Sequence, residues 1–309
     1  MTDKISRPKR NLLQNFFLSL LKPLAVVALL LLFIKNSQAV RDDVNNTILF
    51  LVKKLIPTLF PFAVITQALV NQNLKIPLSR YISKILGISE NLLAPLCLGL
   101  ICGFPIGAML VRDIYKHGLT EKADAEKAII LSSQPSFAFM LMLQSLSGLD
   151  FLKNKILPIS IFIVFCILIF TKKKIDNTVI SGVISRQNTS LTRYIISSGE
   201  AMMNLSFFVV AFSALASVIK ATFKNPFLTS IVLPFFELTT SINYTANTQI
   251  PMQLKQFLIP FSIGFGGLCV FMQIKNILSD TDLEIKKYIP LKLFEGIIIG
   301  VIICLLSNK

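Results

Sequence analysis

The chain has no tryptophan, one histidine and only 16 acidic residues among 309. His117 sits in a polar stretch with no second histidine, which excludes HExxH-type metal chemistry and leaves it a loop or surface role. No Walker A sequence and no Gly-x-Ser-x-Gly elbow occurs, so P-loop hydrolysis and α/β-hydrolase catalysis are excluded as well. The five cysteines (Cys97, Cys102, Cys166, Cys269 and Cys304) are odd in number, form no CxxC and lie inside apolar segments. They give neither a disulfide framework nor a zinc site. The expectation is a protein that is not an enzyme and that carries no cofactor or metal; transport driven by ATP would need a separate subunit.

What the chain has is apolar length. Hydrophobic residues make up 53% and charged residues 15%, with a mean hydropathy of +0.69. Long apolar runs separated by short polar stretches, with no alternating β-barrel pattern, define an all-α polytopic membrane protein. The net charge of +15 would suggest nucleic acid in a soluble protein. Here the basic residues flank apolar runs, as with Lys4, Arg7, Lys9 and Arg10, or Lys172, Lys173 and Lys174. That placement orients the chain in a bilayer and contacts anionic lipid, so no nucleic-acid partner is expected.

Periodicity predicts helices over about 16–36, 47–70, 92–111, 128–148, 156–171, 194–219, 228–248, 254–278 and 289–306, or seven to nine membrane segments. Ser37-Gln38-Ala39 faintly resembles a signal-peptide cleavage site, but the run through Ile34 is long enough for a retained signal anchor. Residues 1–40 are then a cytoplasmic basic segment and anchor helix, 41–171 a first repeat, 172–193 a basic cytoplasmic loop, 194–280 a second repeat, and 281–309 a final helix. Placing both the N-terminus and loop 172–193 in the cytoplasm requires an even number of crossings between them. Five apolar segments lie there, so one must be re-entrant, and 92–111 is the candidate.

The two halves echo each other. Leu59, Phe62, Val64, Ala68 and Leu69 align with Leu205, Phe208, Val210, Ala214 and Leu215; Pro95 aligns with Pro234; and Ser133 aligns with Ser262. Apolar sequences match easily by chance, and the common order of the blocks carries the repeat. Two such units of three elements have opposite orientation if one hairpin per unit returns.

Four clusters break the helical pattern: Pro57–Phe62, Gly99–Gly107, Ser132–Ser136, and Glu237–Asn243 together with Gly264–Gly267. Gly99, Gly103 and Gly107 recur every four residues around Pro105, which removes an amide donor and disfavours helix at Phe104. A membrane helix that breaks itself must bury the break in protein or line it with water, and transporters bind substrate at such breaks. A kinked packing helix is the plain alternative. Ser132, Ser133 and Gln134 suit a carboxylate or a ribose hydroxyl; a loop tip at the membrane surface is the alternative. Glu237 follows an apolar run containing Pro234, and a carboxylate at membrane depth serves as proton carrier, cation ligand or ion-pair partner unless a turn brings it to water. Glu200 and Glu295 border apolar runs near predicted helix ends, where snorkelling satisfies them. Gly296 and Gly300 form a GxxxG whose default reading is packing.

These clusters, in this order, resemble the YlbJ-type sporulation integral membrane proteins, which belong with the nucleoside-recognition or Gate-domain membrane proteins. The resemblance runs from about residue 20 to 306. Two departures stand out: Cys102 begins the Gly-x-Pro motif and Met109 falls where the family has lysine, and Ser241 stands where a glycine often follows the Glu-x-Thr element. If that lysine binds an anion, Arg112 is the available substitute. The resemblance implies transport of dipicolinate during spore formation, with nucleosides as the other substrate class.

The sequence reading is thus a secondary transporter of a small organic anion, in a cell membrane or a forespore membrane. Gly103, Pro105 and Gly107 shape one broken helix, and Ser132, Ser133 and Gln134 contact substrate. Glu237 with Thr239 and Asn243 supplies a proton- or cation-linked partner, while Gly264, Gly266 and Gly267 allow close approach of the second break. Partners are the anion, the lipid bilayer, and a second copy or another membrane subunit. A non-transporting structural or assembly protein of the spore membrane is the alternative of another class.

Overall fold

The computed structural model describes residues 12–70, 79–136, 139–140, 142–143 and 190–307, without the side chains of 12–20 and Val70. The expected helix 156–171, most of the basic loop 172–193 and the N-terminal basic residues lie outside the described residues. The described elements are helical, with no strand among them. Helix α1 (Leu12–Lys35) leads into α2 (Ser37–Phe50), a π turn (Leu51–Leu55) and α3 (Ile56–Val70). Pro57 has no N–H to give the Lys53 carbonyl, and the chain answers with a wider turn in which Ile56 N–H bonds Leu51 O.

There follow α4 (Ser79–Leu86), α5 (Leu93–Cys102), α6 (Ile106–Lys116) and α7 (Lys122–Ser132). After the undescribed stretch come α8 (Leu191–Thr222), α9 (Pro226–Val232), a 3-10 turn (Leu233–Phe235) and α10 (Leu238–Asn247). The described chain closes with α11 (Met252–Phe265), α12 (Gly267–Ile277) and α13 (Tyr288–Ser307). Among the fully described helices four are long and apolar enough to cross a membrane, or five if α4 and the segment Glu90–Cys102, bent by 98°, form one span. Large apolar side chains on the outside, including Leu30, Ile34, Phe207, Phe294 and Leu305, are exposed. A helical bundle apolar both inside and outside fits lipid rather than water.

Three expected single helices are broken. Segment 92–111 stops at Cys102 and restarts at Ile106; 228–248 breaks at Phe236–Glu237; 254–278 breaks at Gly266. The expected helix 128–148 is also interrupted, after Ser132, and is helical again at 139–140 and 142–143. Proline, a carboxylate cap and a glycine in the left-handed region are the respective causes, taken up below.

Side-chain ties fix how the elements run. α8 lies antiparallel to α2 and α3, with Lys220 paired to Asp43 at 2.6 Å, Ser213 bonded to Thr47 at 2.6 Å, and Ser197 bonded to Gln67. Asn91 donates to Leu119 O at 2.8 Å, so the start of α5 and the end of α6 share one end of the bundle. Each arm of this first hairpin has 10 or 11 residues, about 15 Å, half of a hydrocarbon core of about 30 Å. The second hairpin, α9–α10, starts just beyond the end of α8 and returns beside Asp43 and Asn46 through Asn243 and Tyr244, at the opposite end. α11 and α12 run between the ends: Lys255 bonds Ala246 O at one, and Arg112 bonds Ile277 O at the other. α13 returns, packed on α11 so closely that a Cβ on Gly264 would lie 2.8 Å from Gly296 Cα. The GxxxG of Gly296 and Gly300 is a helix-packing face, with Gly300 against Phe257.

Candidate functional site

The first hairpin turns at Gly103, whose φ of 78° and ψ of −176° suit glycine, followed by a cis Phe104–Pro105 peptide. Phe104 N–H, freed by the break, donates to Gln134 O at 3.0 Å. The three glycines press on the end of α7 and the segment that follows it. A Cβ on Gly99 would stand 2.7 Å from Ser132 Cβ, one on Gly103 2.6 Å from Ser136 N, and one on Gly107 2.5 Å from Ser132 O. Their four-residue spacing reads as one helical face; the helix is interrupted between them, yet they face one partner.

Ser132 and Ser133 are fully buried, and both hydroxyls donate back to Ile129 O. Gln134 reaches instead to α13, where its Nε2 lies 3.4 Å from Glu295 Oε2. Glu295 accepts from Lys292 at 2.8 Å, with each side chain only 1% exposed. Tyr288, at the start of the same helix, is also buried. Glu295 therefore does not snorkel: it forms a buried ion pair one turn along the same helix, joined to the first break. The spacing Lys292-x-x-Glu295 in an apolar helix was the available signal, because i,i+3 partners share a face.

The second hairpin turns at Glu237, which caps α10 with its side chain. Oε1 accepts from Thr239 N–H at 2.9 Å and Oε2 from Thr240 N–H at 2.5 Å, while the Thr239 hydroxyl lies 2.8 Å from both oxygens. Glu237 is 2% exposed. A carboxylate at a helix N-terminus meets unsatisfied amides and the positive end of the dipole, which is how this charge is held away from water. The break between α11 and α12 faces this tip. Gly266 and Gly267 both have φ near 77°, and Cys269 N–H donates to Phe236 O at 3.0 Å. A Cβ on Gly267 would lie 3.0 Å from the same carbonyl.

The two tips come from opposite ends of the bundle and each is tied by one backbone hydrogen bond to the broken helix crossing it. Between them lies a cavity of about 30 Å³, lined by Cys102, Phe104 and Ser136 from one side and by Glu237, Thr239, Cys269 and Gln273 from the other. Leu55, Leu59, Leu205 and Val209 close it laterally. It is a small, partly open space with room for about one water. Gln273 Oε1 is buried there without a hydrogen-bond partner among the described residues. A larger groove of about 390 Å³ lies beyond Thr239, between α2, the π turn, α8 and α10, and Lys53, Lys54 and Lys220 are among its lining residues.

Of the residues expected to form the site, Glu237 and Thr239 line the central cavity. Gly103 and Pro105 form the first turn, Gly107 packs behind it, and Gly266 and Gly267 form the opposing turn. Ser132, Ser133 and Gln134 sit behind the tip toward α13, and Gly264 belongs to the α11–α13 contact. Asn243 lies on the exposed face of α10 and lines the larger groove. Arg112, the expected substitute for the family lysine, is bound to Asp113 and Ile277 O outside the cavity. Gln273, Lys53, Lys54, Lys292 and Glu295 are polar groups at these sites that sequence reasoning did not select.

Broken helices inside a bundle with an apolar exterior define an integral, multi-pass membrane protein. The chain is 28% identical over 130 residues to the sporulation integral membrane protein YlbJ of Bacillus subtilis (strain 168), a match covering 36% of this chain and 32% of that protein. It thus spans about a third of the length of the curated relative it matches. No protein-family model matches the chain, and no solved structure matches it.

Proposed function

We propose that the protein is a secondary transporter of a small organic anion, and that it performs no chemistry on its cargo. The observation that carries this reading is the meeting of two half-length hairpins, inserted from opposite ends, at one cavity bearing a buried carboxylate. That is the arrangement expected of two inverted repeats whose tips alternately seal a central path. The sequence echo between 47–70 and 193–216 fits it, since these segments belong to the antiparallel pair α2–α3 and α8.

Glu237 gives the reading a mechanism. Its carboxylate occupies the amides of Thr239 and Thr240, the two donors best placed to receive a carboxylate from outside. Protonation of Glu237 weakens that cap, and a substrate carboxylate then takes its place, the proton offsetting one negative charge of the anion. Anion uptake is thereby linked to a proton. Dipicolinate is the favoured cargo, because the resemblance to sporulation membrane proteins implies it and its two carboxylates match such a site.

The test is uptake of labelled dipicolinate into proteoliposomes holding this protein alone, with unlabelled dipicolinate or uridine as competitor. Saturable uptake blocked by dipicolinate and not by uridine supports the anion reading. Competition by uridine alone points to a nucleoside carrier. Uptake of neither solute by folded protein contradicts transport and favours a structural or assembly role.

A further inference from the structure

We propose that the groove beside the π turn is a vestibule that binds the small organic anion before it reaches the hairpin tips; this rests on the transport reading. Three lysines line it, Lys53, Lys54 and Lys220, against one aspartate, Asp43. Lys220 and Asp43 satisfy each other at 2.6 Å. Neither Lys53 nor Lys54 has an acidic partner among the described residues, so the groove carries uncompensated positive charge.

Local chemistry puts that charge there. Pro57 imposes the π turn over Leu51–Leu55, and the turn presents two consecutive lysines in the middle of the 33-residue helical run Ser37–Leu69. A π turn costs helix hydrogen-bond geometry and is found disproportionately at functional sites. Across the groove α10 offers Thr240, Asn243 and Tyr244, which supply neutral hydrogen bonds. The volume, about 390 Å³, falls in the range of about 300–1,000 Å³ usual for small-molecule sites. Thr239 lines both spaces, and its hydroxyl is bonded to Glu237. An anion held by Lys53 and Lys54 therefore lies next to the amides that the Glu237 cap guards. Lysines at a membrane protein's edge also attract phospholipid headgroups, and that occupant makes a different prediction.

The full-length protein in phosphatidylcholine nanodiscs is titrated with dipicolinate by calorimetry, alongside K53Q/K54Q and K53R/K54R. Both lysines are exposed, and unchanged thermal midpoints verify folding; if K53Q/K54Q fails to fold, the single variants K53Q and K54Q replace it. The vestibule predicts Kd raised about tenfold or more in the glutamine variant and within about threefold of wild type in the arginine variant, since charge is the operative feature. Equal Kd in wild type and K53Q/K54Q overturns the proposal, as does absence of binding to wild type. Native mass spectrometry from phosphatidylglycerol nanodiscs separates the lipid case: lysine-dependent lipid retention with lysine-independent dipicolinate binding also overturns it. Uptake that ignores these lysines removes the vestibule and leaves transport standing. Lysine-dependent binding without uptake removes transport and leaves the anion site.

Discussion

Lys292 and Glu295 hold each other at 2.8 Å inside α13, with 1% of either side chain exposed. The pair sits at the back of the first hairpin, where Gln134 reaches Glu295. Desolvating two charges cancels most of their attraction, so such a pair adds little net stability, but losing one partner strands the other.

Glu295→Leu and Lys292→Met are each expected to destabilise the protein by about 3–5 kcal/mol, whereas the double variant Lys292→Met/Glu295→Leu recovers most of the loss. Unfolding of the detergent-solubilised protein checks this. Additive losses in the double variant would show that the two side chains act separately.

Gly107 and Gly199 make a matched pair of tests. A methyl at Gly107 would stand 2.5 Å from Ser132 O, while one at Gly199 in α8 meets nothing within 4 Å. Gly107→Ala should destabilise by about 1–3 kcal/mol through overpacking, and Gly199→Ala should stabilise by about 0.5–1 kcal/mol through helix propensity. Thermal midpoints of the two variants should move in opposite directions.

Glu237→Gln keeps the shape of the cap and removes the titrating charge. It should leave expression and the melting midpoint nearly unchanged and abolish proton-linked uptake. Glu237→Ala should in addition cost about 1–2 kcal/mol, the price of a lost helix cap. Full proton-linked uptake by Glu237→Gln would remove the coupling role.

How far the sequence foretold this site differs from residue to residue. Pro105 and Gly103 announced the first break, because a missing donor and a positive φ are local properties. Glu237 was found through its place after an apolar run. Its service as a helix cap depends on Pro234 and the 3-10 turn that precede it, which periodicity does not resolve. Lys292 and Glu295 were missed because proximity to a predicted helix end suggests snorkelling, and only the packing of α13 against the first break encloses them. Lys53 and Lys54 stand inside an apolar run in the sequence, and only the π turn and α10 give them a groove to face. Asn243 shares a helix with Thr239 but lies one turn along on its exposed face, so the expected trio divides between two spaces.

One end of the bundle is tied by exposed charges. Asp280 is bonded to Lys116 at 2.8 Å, and Asp282 to Tyr115 at 2.7 Å and Lys122 at 3.1 Å. These hydrogen bonds hold both carboxyls below the usual carboxylate range. A lowered carboxyl contributes stability above its unfolded value, about 3.9, and loses it as pH falls through the lowered folded value. Hydrogen exchange in 278–287 should therefore quicken as pH drops below about 4 after correction for intrinsic rates. Salt should weaken the ties at neutral pH, since exposed pairs are screened. Protection that ignores both variables would mean the loop is held by its backbone alone.

The central claim is that the hairpin tips part to pass a solute, and the native cysteines report on it. Cys102 and Cys269 line the central cavity from opposite tips, each 1% exposed, while Cys97 is exposed. The decisive measurement is site-resolved maleimide labelling in proteoliposomes, with and without dipicolinate. The account predicts slow labelling of Cys102 and Cys269 that dipicolinate changes, while Cys97 labels at a rate that dipicolinate leaves unchanged. Inert Cys102 and Cys269 in both conditions, in protein whose Cys97 reacts, would contradict it: the tips would then be a static packing core.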